Sequence, residues 1–174
     1  MAGRSSSLNT SRTPWCAPSA IRPARAFHLI DAENLAGAAP LQALDTRIGD
    51  HYRSVVNPHH TDLFEVAADG SRLIELALAF PGAQTLIGRG PNGADDALVD
   101  ALDWGLLTRR FDTLYIGSGD HWFTGVAHHA HLLGLRVVVV SRAVALSRML
   151  VARADEFIEL PELDLLPAHL IHAA

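Results

Sequence analysis

Lysine is absent from this chain, and its absence excludes several classes of enzyme. P-loop kinases and Schiff-base enzymes need a lysine at the reacting group, whereas all fourteen Lys/Arg positions here are arginine. Cysteine occurs once, at Cys16, which excludes an internal disulfide and suits a reducing cytosol. No apolar run approaches the ~18 residues that span a membrane; a pure run such as Val137–Val140 is short. We therefore expect a cytoplasmic protein without a membrane segment.

Charge is divided unevenly along the chain. Residues 1–25 contain four arginines and no acid, whereas 26–174 contain ten arginines against nineteen acidic residues, a balance of −9. The first segment is rich in Ser, Arg and Pro, which predicts a disordered leader; a weak nucleic-acid tether and an organelle transit peptide also fit its composition. Residues 26–174 are expected to form one domain. Because that domain is net acidic, RNA contact requires a local arginine patch, the leader or bound metal.

Strand-like and helix-like segments alternate after the leader, which predicts an α/β fold with a parallel sheet and right-handed crossovers. Predicted strands lie at 27–31, 63–67, 85–87, 112–117 and 136–141, with a short strand at 156–160. Predicted helices lie at about 41–56, 72–80, 94–109, 120–133 and 143–153.

Acidic side chains follow three of the predicted strands. Asp31 ends the first strand, and Asn34 follows it three residues later. The third strand is followed by Asp95 and Asp96, and the fourth is followed by Asp120. The carboxyl ends of parallel strands meet at one edge of a sheet, where open α/β sheets bind their ligands. Because crowded carboxylates repel one another, such a cluster indicates a bound cation.

Each of these residues also has a purely structural interpretation. Asp95 and Asp120 suit the N-cap position of a helix, and Asn34 suits a turn, whereas Asp31 caps no predicted helix. Helical periodicity directs Asp95 inward with the buried stripe of its helix and leaves Asp96 on the flank. The convergence of all of them on one edge favours a metal-binding cleft centred on Asp31.

Four motifs follow one another in the chain, and their order and spacing are distinctive. They are Ile-Asp-Ala-Glu-Asn-Leu (30–35), Asn-Gly-Ala-Asp-Asp-Ala-Leu-Val-Asp (92–100), Leu-Tyr-Ile-Gly-Ser-Gly-Asp-His-Trp-Phe (114–123) and Gly-Leu-Arg-Val-Val-Val-Val-Ser-Arg (134–142). Together they resemble the NYN domain, a PIN-like group of metal-dependent ribonucleases, over roughly 27–160. The resemblance implies three α/β/α layers around a mostly parallel, PIN-like sheet of order 3-2-1-4-5, with a short extra strand near the C-terminus.

The resemblance also implies an activity, which is hydrolysis of RNA at a Mg²⁺ or Mn²⁺ site to give 5′-phosphate and 3′-hydroxyl ends. By position, the family's catalytic residues correspond to Asp31, Asn34, Asp95, Asp96 and Asp120. The four aspartates are expected to bind metal, with Asp96 as a second ligand or a base, and Asn34 to orient a water or phosphate. Single-stranded RNA is the expected substrate. Strands one and four are neighbours in this order, so Asp31 and Asp120 are expected to be nearest partners.

Phosphate contacts are expected from groups beside the cleft. Arg89 precedes the third-strand acids, Arg142 and Arg148 follow strand five, and Ser118 follows strand four. A solvated surface position is the alternative for each arginine, and a helix cap is the alternative for Ser118. Glu33 is expected to point away from the cleft.

One position departs from the family pattern. Trp122 stands where many members have a second aspartate, and Thr124 stands where others carry an acid. Loss of that ligand would weaken metal binding, and Trp122 either stacks on a base or packs as an ordinary half-exposed tryptophan. The main alternative function is therefore a weak or inactive NYN module that binds RNA or a protein partner. A toxin-like PIN nuclease with an antitoxin is a further alternative, whereas a haloacid-dehalogenase phosphohydrolase would need a lysine.

Overall fold

The computed structural model describes residues 24–37 and 47–162, in which six strands form one parallel sheet. The strands are β1 Ala26–Asp31, β2 Leu63–Asp69, β3 Gln84–Gly88, β4 Thr113–Gly117, β5 Arg136–Ser141 and β6 Glu156–Glu159. Every neighbouring pair is parallel, and the order is β3-β2-β1-β4-β5-β6. The predicted order 3-2-1-4-5 is confirmed, and the short last strand is added beside β5.

Helices cover both faces of the sheet, which gives the three predicted layers. They are α1 Ala32–Ala36, α2 Arg47–Val56, α3 Leu73–Ala79, α4 Gly93–Ala101, α5 Trp104–Arg110, α6 Thr124–Leu132 and α7 Arg148–Val151. Helices α1 to α3 contribute Leu35, Tyr52 and Leu76 to the core on one face. On the other face, α4 to α7 contribute a second core that includes Leu98 and Leu150. None of the helices in these two ranges is long and apolar enough to cross a membrane.

The long helix predicted over 94–109 is wrong, because the chain breaks between α4 and α5. Leu102 leaves the helical conformation with φ −64° and ψ 111°, and Asp103 becomes the N-cap of α5. The Asp103 carboxylate accepts a hydrogen bond of 2.9 Å from the Leu106 amide. An aspartate within a helical pattern competes for backbone donors in this way, so it favours a new helix start over an uninterrupted helix.

Two predicted segments lie partly or wholly outside the described residues. The leader does so up to residue 23, including Cys16, and the helix expected from residue 41 is described only from Arg47.

A histidine is buried in the middle of the sheet, in an aromatic surrounding. The ring of His28 on β1 lies between those of its cross-strand neighbours Phe64 and Tyr115, with centroid distances of 4.3 and 4.5 Å. The Tyr52 hydroxyl lies 3.0 Å from His28 Nδ1, and Asp62 Oδ2 lies 3.5 Å from Nε2, which is long for a hydrogen bond. Burial lowers the pKa of His28 despite the opposing effect of Asp62, so the ring is held neutral.

Candidate active site

Asp31 lies at the carboxyl end of the central strand and is almost completely buried, with 6% of its surface exposed. Its Oδ1 accepts hydrogen bonds of 3.1 Å from the amides of Glu33 and Asn34, so Asp31 is the N-cap of α1. The expectation that Asp31 caps no helix is therefore wrong, because α1 is too short to show in the sequence pattern. Oδ2 accepts a hydrogen bond of 3.3 Å from the Ser118 hydroxyl. Three donors thus fix the orientation of this carboxyl group.

Asp95, in the first turn of α4, is the acid most closely coupled to Asp31. Side chains alternate along a strand, so Asp31 shares the face of Phe27 and Leu29, which is the face that α4 covers. The negative charge of Asp95 raises the pKa of Asp31, so the two carboxyl groups lie close to each other. Asp95 Oδ1 is buried and has no hydrogen-bond partner among the described residues. Since an ionised carboxylate only accepts, the two groups cannot satisfy each other unless one of them carries a proton.

The pKa of each group in this carboxyl pair is raised. Burial raises the pKa of Asp31 to about 7, and the negative charge of Asp95 adds to that effect. Burial also raises the pKa of Asp95 to about 6, with a further contribution from the charge of Asp120. At neutral pH the pair is therefore close to the point where it loses its last proton. Beyond that point, only a cation offsets the repulsion between the two charges.

The carboxyl pair opens into a cleft of about 220 Å³. The glycine-rich segment 88–93 lines the cleft together with Asp95, and Asp31, Glu33 and Asn34 line it from β1 and α1. The expectation that Glu33 points away is wrong, and its negative charge raises the pKa of both Asp31 and Asp95. Sequence reasoning missed Glu33 because it did not place α1, in whose first turn Glu33 lies beside the cap residue.

Asp120 lies at the border of the cleft. It is the N-cap of a single 3-10 turn, where its Oδ1 accepts a hydrogen bond of 2.8 Å from the Trp122 amide and lies 2.8 Å from His121 Nδ1. Its charge raises the pKa of Asp95. The acid whose charge acts most strongly on Asp31 is Asp95, rather than the expected Asp120.

Ser118 and Asn34 connect the ends of the two central strands. The Ser118 hydroxyl donates to Asp31 and accepts a hydrogen bond of 3.2 Å from the Asp120 amide. The Asn34 side-chain oxygen accepts a hydrogen bond of 2.9 Å from the Gly119 amide. These contacts fix the ends of β1 and β4 relative to each other, and therefore fix the position of Asp31.

Of the five predicted catalytic residues, the structure brings three together in the cleft. Asp31, Asn34 and Asp95 line it, Asp120 borders it, and Asp96 is exposed on α4 outside it. Asp96 acts on the site only through its charge, which raises the pKa of Asp95.

The groups predicted to contact phosphate differ in availability. Arg89 and Arg148 are exposed and make no hydrogen bond or ion pair within 24–37 and 47–162, so their role stays a prediction. Ser118 is completely buried, which prevents contact with a substrate phosphate. The prediction for Ser118 is corrected accordingly, because its hydroxyl serves to orient Asp31.

Arg142 also has a different role from the one predicted. Its Nε and Nη2 donate to the Asn34 carbonyl oxygen at 3.3 and 3.0 Å, and Nη1 lies 3.1 Å from Glu162 Oε1. A Cβ atom on Gly37 would collide with the guanidinium group, so the end of α1 is packed directly against it. Arg142 is therefore engaged in holding α1, which corrects its assignment as a phosphate contact.

Comparisons with known proteins agree with this fold. The family model of the NYN domain matches residues 71–164, just over half of the chain, and so includes Asp95 and Asp120 but not β1. A protein of unknown function from Vibrio parahaemolyticus has a similar crystal structure, with a TM-score of 0.54 and 16% identity over 80% of this chain and 94% of that chain. At that identity the similarity concerns the fold alone. Comparison with curated proteins found no match.

Proposed function

Since this chain belongs to the NYN domain family, a PIN-like nuclease family, we propose that it is a ribonuclease that uses Mg²⁺ or Mn²⁺ in the cleft at Asp31. The observation that carries the proposal is the carboxyl pair of Asp31 and Asp95. Burial raises both pKa values, with added effects from the charge of Asp95 on Asp31 and of Asp120 on Asp95, and one buried oxygen lacks a donor among the described residues. Such a pair is stabilised by a cation, and a hard carboxylate oxygen is the ligand that Mg²⁺ prefers.

The donor set fits an ion of this kind. No three His, Cys, Asp or Glu side chains of the described residues are arranged as a ready-made metal site. Mg²⁺, however, keeps several waters and binds proteins through one or two carboxylates together with substrate phosphates. Asp31 and Asp95 would hold the ion, with Asp120 and Glu33 adding negative charge nearby. When bound, the ion supplies positive charge at the scissile phosphate and lowers the pKa of water.

The protein's own groups hold this arrangement in place. The two α1 amides and the Ser118 hydroxyl fix the Asp31 carboxylate, which reduces the reorganisation needed when substrate binds. Asn34 keeps the β4 end in register through Gly119. The carboxyl pair would hold a cation in its fully ionised form, so a proton retained near neutral pH would be released to solvent on binding. Asp96 lies outside the cleft and is proposed to act through its charge alone.

The test combines cleavage with an independent measure of metal binding. Labelled single-stranded RNA is incubated with the protein in Mn²⁺, Mg²⁺ or EDTA, and Mn²⁺ binding is measured by calorimetry without RNA. We expect cleavage in either metal and none in EDTA, and loss of both cleavage and Mn²⁺ binding in Asp95→Asn. Asp100→Asn is the matched control, because Asp100 is exposed on the same helix and its substitution removes the same charge. Cleavage that persists in EDTA, or in the Asp95 variant, would rule out the metal-dependent mechanism.

A non-catalytic RNA-binding module is the second candidate. It is favoured by the geometry of Asp120, whose carboxylate serves as a cap for the turn that contains Trp122. The same assay separates the two functions. RNA binding without cleavage in both metals would favour the module.

A further inference from the structure

A large aromatic side chain is exposed two residues after Asp120, whose charge acts on Asp95 in the cleft. Trp122 is 42% exposed, whereas the next residue, Phe123, is completely buried. The Trp122 amide donates to the Asp120 carboxylate, so its backbone is fixed to the border of the cleft. The indole makes no ring contact with another residue of the described ranges. The surroundings of Trp122 therefore leave part of a rigid aromatic surface open to solvent next to the proposed catalytic groups.

The comparison with Trp104 shows that this exposure is not a general property of tryptophan in the chain. Trp104 on α5 is half-buried, packs against the core, and makes an edge-on contact with the His129 ring at 4.6 Å. Exposing a tryptophan forgoes the burial that normally stabilises so large an apolar side chain. A ligand that covers Trp122 would recover this stabilisation.

The charged side chains near the cleft are mostly acidic, so they are poorly suited to bind RNA through its phosphates alone. Asp31, Glu33 and Asp95 line the cleft, and Arg142 is already engaged with Asn34 and Glu162. Nucleic-acid binding usually draws most of its affinity from cations that face phosphates. Where cations are scarce, stacking of bases on aromatic rings is the remaining sequence-tolerant source of affinity.

We propose that Trp122 is a base-stacking residue that binds an unpaired nucleobase of single-stranded RNA close to the scissile phosphate. Helix α7 packs against the turn that carries Trp122, and Arg148 at the start of that helix is exposed and available for a phosphate. Bases in a duplex are already stacked on one another, so this contact selects single strands. The proposal rests on the proposed function for the identity of the ligand.

The test uses a full-length protein in which Trp122 is the only indole, made by Trp15→Phe and Trp104→Phe. Its fluorescence is titrated in EDTA, and again in Ca²⁺ as an oxygen-binding cation. The ligands are a single-stranded RNA, a duplex of the same sequence, and a single strand of the same length with abasic positions, which keeps the phosphates but lacks bases. Binding is repeated with Trp122→Ala and Trp122→Phe in the natural background, with Trp104→Phe as the matched control.

We expect the single strand to quench Trp122 fluorescence and to bind more tightly than the duplex or the abasic strand. Trp122→Ala should weaken single-strand binding roughly 5- to 160-fold, the range for loss of one base–aromatic stack, while Trp122→Phe retains most of the affinity and Trp104→Phe all of it. The unfolding midpoint of Trp122→Phe should lie close to that of the parent, because Phe keeps most of the covered part of the side chain, and affinities are compared only among folded variants. Unchanged single-strand affinity in Trp122→Ala, or equal affinity for the abasic strand, would overturn the proposal.

Failure of this proposal is distinguishable from failure of the proposed function. Tight, Trp122-dependent RNA binding without cleavage would support the stacking role and contradict the nuclease activity. Metal-dependent cleavage with an affinity that is indifferent to Trp122 would do the reverse. Absence of any RNA binding in EDTA and in Ca²⁺ would overturn the stacking role.

Discussion

His28 and Asp31 are both buried ionisable side chains on β1, three residues apart. They differ in whether the surrounding groups stabilise the charge state that burial favours. His28 is covered by Phe64 and Tyr115, and the Tyr52 hydroxyl lies 3.0 Å from its Nδ1. Its pKa is lowered, so the ring remains neutral and needs no counter-charge. Asp31 instead shares a cleft with two other acids, and its pKa is raised.

The difference shows that burial of an ionisable group does not by itself indicate a functional site. The His28 network is closed with respect to charge, because the ring is neutral, although its Nε2, like Asp95 Oδ1, has no hydrogen-bond partner among the described residues. The Asp31 site is open, because the negative charges of Glu33 and Asp95 converge on it. A ligand of positive charge completes the second arrangement but has no place in the first.

The largest expected effect separates the two residues by activity. Asp31→Asn should reduce RNA cleavage in Mg²⁺ by about a thousand-fold, since several kcal/mol of transition-state stabilisation depend on the ion. His28→Gln, by contrast, should leave cleavage per folded molecule within a few-fold of the parent. The measurement is the initial rate, normalised to the folded fraction from circular dichroism. A His28 variant that is folded but inactive would show that the closed network takes part in the chemistry.

The second prediction concerns stability, for which we expect substitution of His28 rather than of Asp31 to have the larger effect. His28→Ala leaves a cavity between two aromatic rings and removes the partner of the Tyr52 hydroxyl, so the free energy of unfolding should fall by about 2–4 kcal/mol. Urea unfolding followed by far-UV circular dichroism measures the change. Leu132→Ala serves as a control, because Leu132 is exposed and should change stability little. Equal losses in the two variants would contradict the assigned role of His28.

His28 and Asp31 are expected to change the free energy of unfolding in opposite directions as pH changes. The folded pKa values of Asp31 and Asp95, about 7 and about 6, exceed the ordinary 3.8, so in EDTA folding stability should decrease as pH rises from about 4 to 7. The pKa of His28 is lowered from 6.5, so its contribution decreases as pH falls below that value. We expect the parent to be more stable at pH 5 than at pH 7.5 by about 1–3 kcal/mol.

The Asp31→Asn variant provides the control for this experiment. Removing the group with the more strongly raised pKa should flatten the dependence of stability on pH, or reverse it where the contribution of His28 dominates. Urea unfolding in EDTA at the two pH values measures both proteins. If the variant keeps the slope of the parent, the raised pKa of Asp31 is not the source of the pH dependence.

The smallest expected effect concerns a residue that positions Asp31. Ser118→Ala removes the hydroxyl that donates to Asp31 and accepts from the Asp120 amide, and should weaken Mn²⁺ binding by about ten-fold. Ser141→Ala is the matched control, since Ser141 is equally buried at the end of β5 and its hydroxyl donates only to the Arg142 carbonyl. Calorimetric titration with Mn²⁺ gives the dissociation constant of each variant. Comparable losses in the two would point to general destabilisation.

Most of the sheet was predictable from the sequence, because its signals are local. Each strand is a short apolar run, each helix follows a turn, and the family motifs supply the order in which the strands pair. The break at Asp103 and the short helix after Asp31 were not predicted. Each depends on a single aspartate whose carboxylate accepts hydrogen bonds from backbone amides, and such capping is not visible in the spacing of apolar residues.

The candidate site was predictable as a set of acids, but not as a set of contacts. The period-2 alternation of β1 places Asp31 on the face of Phe27 and Leu29, and this signal was available to indicate Asp95 as its partner. The roles of Ser118 and Arg142 were not accessible in the same way. Whether a hydroxyl is buried, or a guanidinium is engaged by a distant carbonyl, depends on packing between segments that are far apart in the chain.

The central position of β1 has a consequence for biosynthesis. β1 precedes the other strands in the described chain, yet it pairs with β4, which ends at Gly117. During translation, β1 therefore waits for most of the domain before its second neighbour can pair, and such non-local pairing is slow. Asp95 is synthesised after β1, β2 and β3, so the repelling carboxyl groups cannot meet until α4 has emerged. A chain that ends before α4 neither experiences their repulsion nor possesses the cleft that would act on RNA.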